Sequence, residues 1–182
     1  MMTKKEIRQH IRSLTAAKNA DCKARQAEAV TQRLCEIITE RKPNVVAAFM
    51  PMSDEIAIDI KRLSTLCRVV IPRITSHSDG QAEMEFFDYN TAEIDSGAYG
   101  IDEPQGEDIV QPEQIDIMIL PGMAFTTRGE RLGRGKGFYD RYTAREGFRA
   151  YCIGVCFAHQ ILTTLPTEPH DRPIDDVIFG EA

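Results

Sequence analysis

The chain has 182 residues, 42% of them hydrophobic and 27% charged, and its formal net charge of −6 argues against a general nucleic-acid binder, which carries a basic face. That length fits one domain, 1–182, with a sizeable core of its own. Five cysteines at irregular spacings form no disulfide framework, and no segment reaches the roughly 18 apolar residues of a membrane span, which predicts a reduced, cytoplasmic protein without a membrane partner.

Residues 1–42 predict helix: Ile7, Ile11 and Leu14 recur at helical spacing, and after a polar break at Lys18 to Asp21 so do Val30, Leu34, Ile37 and Ile38, with Pro43 closing the region. "NVVAAFMP" reads as a buried strand. "SDEIAIDIKRL" then predicts a helix capped by Ser53 or Asp54, with Ile56, Ile60 and Leu63 on its inner face. "CRVVIPRI" and "MEFFDY" read as two more strands. Residues 90–114 are rich in Gly, Pro and acids and predict a long ordered loop without a period. "IDIMILPGMAF" supplies the strongest strand, Ile115 to Leu120, and "YDRYTARE" a helix. "YCIGVCFAHQ" supplies a last strand whose cysteines, Cys152 and Cys156, read as buried packing residues. Strands alternating with helices predict an α/β fold, a three-layer α/β/α domain on a mostly parallel, Rossmann-like sheet.

Between the strongest strand and the helix stands "RLGRGKGFYDRY", Arg131 to Tyr142. Ligands of open α/β sheets gather at the carboxyl ends of strands, which is where this stretch falls. Gly133, Gly135 and Gly137 allow close backbone approach to an anion, and Arg131, Arg134 and Lys136 supply countercharge. A helix beginning near Phe138 would aim its positive end the same way. From 128 to 141 five cations face two acids, a local +3 that leaves −9 for the rest of the chain. That pattern suits a phosphorylated small molecule better than a long nucleic acid. A solvated glycine-rich hairpin with incidental cations stays open, because the spacing matches neither a Walker A loop nor the dinucleotide GxGxxG. Asp140 reads either as a Mg²⁺ ligand or as a helix-capping acid, and Asp171 in "EPHDRPID" has the same two readings. His10, His77, His159 and His170 are scattered and read as surface or structural residues.

At "LPGMAFTTRGERLGRGKGFYDRY" the sequence resembles the 5-formyltetrahydrofolate cyclo-ligase family. The likeness extends to "KKEIR", "MPMSDEI", "VIPRI", "YGIDEP" and "LPTEPHDRPIDDVI", blocks that occur in family order across nearly the whole chain. The resemblance implies an ATP- and Mg²⁺-dependent ligase that turns 5-formyltetrahydrofolate into 5,10-methenyltetrahydrofolate, ADP and phosphate. It implies an ATP site made of Lys4, Lys5, Glu6, Ile7 and Arg8 with Arg131, Leu132, Gly133, Arg134, Gly135, Lys136, Gly137, Phe138 and Tyr139. It implies folate contacts at Met50, Glu55 and residues Arg134 to Tyr139, magnesium ligands at Asp140 and Asp171, and Arg134 and Lys136 as the catalytic cations. Without it, Lys4 and Arg8 read as a solvated helix face, Glu55 as a first-turn helix acid, and Tyr139 equally as core.

The loop departs from the family pattern in two places. Phe138 stands where many members have the first of two tyrosines, so packing survives there and a hydroxyl role does not; "GRGKG" replaces the "GYGGG" of many bacterial members. The expected partners are the small molecules alone, with no nucleic acid, acting on a monomer. The rivals are an RNA-contacting module built on the Arg/Gly loop, and a relative that binds these ligands without turnover.

Overall fold

The computed structural model describes residues 2–76, 82–89, 94–96, 102–168 and 172–180. Two helices open the chain. α1 (Lys4–Ala17) starts at a capping box, in which Glu6 accepts from the Thr3 N–H at 2.7 Å while the Thr3 hydroxyl accepts from the Glu6 N–H. These bonds from Thr3 hold the Glu6 carboxyl below its ordinary value. α2 (Ala20–Arg41) starts where the Asn19 side chain accepts from the Cys22 N–H at 2.7 Å, and Lys42 ends it in the left-handed region. The polar break is thus two residues, Lys18 and Asn19, and Pro43 follows the second helix as expected.

Six strands form the main sheet: β1 (Val45–Ala47), β2 (Arg68–Ser76), β3 (Ala82–Asp88), β6 (Ile117–Leu120), β9 (Tyr151–Phe157) and β10 (Asp176–Gly180), in the spatial order β10-β9-β6-β1-β2-β3. All neighbours pair parallel except β2 with β3. The strand order reverses between β1 and β6, the Rossmann arrangement in which ligands bind at the carboxyl ends of the two strands flanking the reversal.

Period-2 alternation sorts the strand side chains into two cores. Val46, Ile117, Ile119, Ile153 and Val155 pack against Val30, Leu34, Ile37 and Ile38 of α2 on one face. Val45, Ala47, Met118, Leu120, Cys152 and Cys156 pack with Phe125 and Tyr142 on the other, where α4 (Phe138–Thr143) lies. Both cysteines of "CIGVC" are buried and free.

α1 covers neither face. Its Ile7 and Ile11 pack on Met123, Ala124, Leu132 and Leu165, at the hairpin of β7 (Ala124–Phe125) and β8 (Arg131–Leu132) that follows β6. This brings the polar side of α1 to the same end of the sheet as the glycine-rich loop.

Two expectations need correction, and one strand is additional. The helix expected over 53–63 is only α3 (Ile60–Leu63), capped by Asp59, whose side chain accepts from the Arg62 N–H at 2.9 Å. Ile56, Ile58 and Ile60 are buried while Ala57 and Asp59 are exposed, the alternation of an extended chain, so "IAIDI" follows period 2 rather than 3.6. The stretch 90–114 contains β4 (Ile94–Ser96) and β5 (Asp102–Pro104), which pair antiparallel; residues 90–93 and 97–101 lie outside the described ones. Three-residue strands are too short for a period to show. β10, at the sheet edge, went unpredicted because "DDVIFG" holds only three large apolar residues.

Candidate functional site

At the strand reversal lies a cavity of about 300 Å³. Its floor comes from the chain leaving β1, Phe49, Met50 and Met52, and from Pro121 and Gly122 leaving β6. Pro72, Ile74 and Met84 of β2 and β3 extend the apolar surface, and residues 133–140 close one side. Four cations, Arg12, Arg131, Arg134 and Lys136, face three carboxylates, Glu55, Glu103 and Asp140, so the polar part keeps a small positive excess.

Arg134 reaches across the cavity to the segment after β1. Its Nε donates to Glu55 Oε1 at 2.8 Å, and its two terminal nitrogens donate to the two oxygens of Asp54. Three of five guanidinium N–H donors are used and two remain. Burial would raise the Asp54 carboxyl, but the hydrogen bonds and charge of Arg134 outweigh it and hold Asp54 below its ordinary range. Burial likewise opposes the charge on Arg134, and the Asp54 and Glu55 carboxylates overcome it, raising that guanidinium further. Glu55 also accepts from the Met52 N–H at 2.9 Å through Oε2, which folds "MSDE" into a turn instead of a helix.

Gly135 and Gly137 have φ of 95° and 68°, the left-handed region that glycine enters without strain. A side chain at Gly135 would in addition meet the Arg8 guanidinium at 3.4 Å. Arg8 Nε donates to the Gly133 carbonyl at 2.8 Å, tying α1 to the loop, and Lys4 pairs with Glu168 at 2.9 Å. Lys136 is exposed at the rim. Arg131, whose side chain is 7% exposed, donates to the Pro121 carbonyl and to Asp140 Oδ1, each at 2.9 Å. Burial, with the nearby Glu55 charge, pushes the Tyr139 phenol up, so it can donate a hydrogen bond but does not act as a base. A second cavity of about 220 Å³ shares Arg131, Tyr139 and Asp140 and adds Arg149, Arg172 and Asp175.

Arg131 and residues Gly133 to Asp140 gather at the cavity with Met50 and Glu55, while Arg8 touches the loop from α1. The other three members of the N-terminal motif have different surroundings: Glu6 serves the capping box, Ile7 is buried in the α1 core and Lys5 is exposed. Leu132 is likewise a core residue. Asp171 lies outside the described residues.

Asp140 offers a hard carboxylate, 41% exposed, on the cavity wall. Among the described residues no group of three His, Cys, Asp or Glu side chains could hold a metal by itself. Mg²⁺ commonly takes one or two protein carboxylates and completes its shell with phosphates and water, so Asp140 fits such an ion only together with a nucleotide.

Three participants escaped the sequence reading. Arg12 follows Lys4 and Arg8 at i, i+4, i+8, a cationic stripe that would have revealed it. Asp54 stands beside Glu55 but was read as a cap. Glu103 falls in "YGIDEP", a block of the family likeness, but its aperiodic surroundings assign it no role.

The model of the 5-formyltetrahydrofolate cyclo-ligase family matches residues 1–180. The chain belongs to this family. As a member it is an enzyme of the ligase class. It is 28% identical to the mouse 5-formyltetrahydrofolate cyclo-ligase over 97% of this chain and 91% of the relative, and 27% identical to the Haemophilus influenzae enzyme over 97% of each. Among solved structures, the 5,10-methenyltetrahydrofolate synthetase of Aquifex aeolicus superposes with TM-score 0.80 at 29% identity, covering 97% of this chain and 89% of that one. The Mycoplasma pneumoniae synthetase gives TM-score 0.78 at 25% identity, covering 99% and 100%. These likenesses bear out the family resemblance and the three-layer, mostly parallel fold. No helix among the described residues is long and apolar enough to cross a membrane.

Proposed function

We propose that this cyclo-ligase converts 5-formyltetrahydrofolate to 5,10-methenyltetrahydrofolate at the expense of ATP, with Mg²⁺, releasing ADP and phosphate. The observation that carries the proposal is the shared wall: one loop, 133–139, borders an apolar chamber suited to a pterin and presents cations and glycine amides suited to phosphate.

An N-formyl group is an amide, whose oxygen is a poor leaving group. Attack of that oxygen on the γ-phosphorus of ATP forms an O–P bond, breaks the bond to the bridging oxygen and releases ADP. The N5 lone pair then makes the carbon iminium-like, and N10 attacks it. The C–N bond closes the five-membered ring, phosphate departs with the formyl oxygen, and loss of the N10 proton leaves the cationic methenyl bridge.

This chemistry asks for positioning and charge neutralisation rather than a protein nucleophile. Lys136 and the two free donors of Arg134 neutralise the transferring phosphoryl group, and Gly133, Gly135 and Gly137 let the backbone approach it. Lys4 and Arg8 steady the nucleotide from α1, and Arg131 holds Asp140 in place. Asp140 and Asp171 would hold Mg²⁺, which when bound neutralises phosphate charge. Met50, Glu55, Phe138 and Tyr139 face the folate. The partners are then two small molecules, and neither a nucleic acid, a membrane nor a second subunit is needed.

The test is the absorbance of methenyltetrahydrofolate on mixing purified protein with 5-formyltetrahydrofolate, ATP and Mg²⁺. Product that requires both ATP and Mg²⁺ is expected. No ATP-dependent product at high enzyme concentration would refute the proposal.

A further inference from the structure

We propose that Glu103 is a specificity-determining residue of this cavity, a carboxylate that accepts hydrogen bonds from the amino-pyrimidinone edge of the reduced pterin. The proposal rests on the folate reading given above and adds the group that recognises the pterin.

Glu103 stands on β5, and only 6% of the residue is exposed, yet it lines the cavity. Its Oε1 accepts from the Ile74 N–H at 3.0 Å. Among the described residues Oε2 has no hydrogen bond, and no cation pairs with the carboxylate. Its neighbours on that side of the cavity, Pro72, Ile74 and Met84, are apolar. The nearby Arg73 is committed elsewhere: it donates to the Pro104 and Gly106 carbonyls at 2.9 and 3.0 Å and lies over the Phe87 ring at 3.7 Å. Arg73 thereby fastens the backbone that carries Glu103 to β2 without neutralising its charge.

Oε2 is open to the cavity, and a ligand that closed over this carboxylate without supplying donors would bind at a cost. The cost is offset if a ligand brings the missing donors. Phosphate and the carboxylate tail of a folate are acceptors and would be repelled. The 2-amino group and N3–H of a pterin form two parallel donors that match two carboxylate oxygens, and Ile74 leaves Oε1 a second lone pair. Glu55 is differently placed: the Arg134 guanidinium neutralises its charge, and each of its oxygens already accepts a bond, one from Arg134 and one from Met52. Within one cavity, therefore, Glu55 is tied to the catalytic arginine and Glu103 keeps its acceptor capacity for substrate.

The experiment compares wild type, Glu103→Gln and Glu103→Ala with 5-formyltetrahydrofolate and with its 2-desamino-2-methyl analogue, measuring Kd by fluorescence titration and KM for folate and ATP separately. Glutamine keeps an acceptor for the Ile74 N–H but sets an amide donor against the pterin donors. A lost hydrogen bond to a charged group is worth about ten- to hundredfold in affinity. Wild type should therefore prefer the natural folate over the analogue by about that factor. Both variants should weaken natural-folate binding to a similar degree, leave the KM for ATP unchanged, and lose the preference between the two compounds. Variants that keep wild-type folate affinity, or keep the preference, overturn the role of Glu103 while the folate reading stands. Failure of the wild-type protein to bind either compound overturns the folate reading itself, and this inference with it.

Discussion

Replacing Arg134 by alanine removes the contact that joins the glycine-rich loop to the segment after β1. The side chain makes three N–H···O bonds to two carboxylates, Asp54 and Glu55. Breaking a fully buried ion pair by deleting one partner costs about 3–5 kcal/mol, and exposed pairs contribute about 1 kcal/mol or less. Here Arg134 and Asp54 are 24% and 25% exposed and Glu55 7%. The intermediate burial gives a loss of about 2–3 kcal/mol, which for a domain of this length lowers Tm by about 4–12 °C. The pH dependence has a defined sign. Asp54 is held below its ordinary value in the folded state, so its contribution is complete above the unfolded value of about 3.9 and disappears as the pH falls through the folded one. Thermal melts followed by circular dichroism at pH 7, 5 and 3.5 should show a wide gap between wild type and Arg134→Ala at pH 7 and a narrower one at pH 3.5. Lysine at 134 should recover only part of the stability, because one ammonium cannot span both carboxylates as the guanidinium does. An unchanged Tm at pH 7, or a gap that grows on acidification, would refute this account of the clamp.

Lys136→Ala should leave Tm unchanged, since the side chain is exposed, while lowering turnover or ATP affinity by about a hundredfold in steady-state assays. Full activity, or an unfolded variant, would contradict its assignment to the phosphoryl group. Asp140→Asn should shift the Mg²⁺ titration of activity upward by about tenfold or more, and an unchanged titration would move the metal role to another residue. His159 stacks on Phe157 with ring centroids 5.6 Å apart, and its Nε2 lies 2.7 Å from the Thr15 hydroxyl. Burial first, then Lys18 and Lys23, lower its basicity, so the folded state resists its protonation. Wild-type Tm should therefore fall as the pH drops below about 6.5, and His159→Gln should flatten that slope; equal slopes in the two proteins would exclude His159 as its source.

The parts of the fold legible in the sequence were those where one periodicity ran long enough to dominate. Fourteen residues of α1 and twenty-two of α2 sustain a helical stripe, and β1, β6 and β9 are apolar runs buried on both faces. "IAIDIKRL" satisfied two templates at once, Ile56, Ile60 and Leu63 for a helix and Ile56, Ile58 and Ile60 for an extended chain. Tertiary bonds decided between them: Met52, Asp54 and Glu55 are tied into the turn and the Arg134 clamp, leaving Asp59 to start the helix. Within the site, the loop announced itself through its glycines and cations, because local backbone freedom and charge are written in adjacent residues. Its partners were not, since Asp54 and Glu55 lie 80 and 79 positions from Arg134. Glu103 was hidden for a related reason: in an acidic, aperiodic stretch nothing local distinguishes a buried carboxylate from solvated ones.

The central claim is that the formyl oxygen receives the γ-phosphoryl group and leaves as part of phosphate. Turnover of substrate labelled with ¹⁸O in the formyl group, followed by mass spectrometry of the released phosphate, tests it most directly. Each phosphate should carry one ¹⁸O atom, in equal number with the methenyl product. Unlabelled phosphate would mean that water, not the formyl oxygen, takes the phosphoryl group, and would contradict the mechanism.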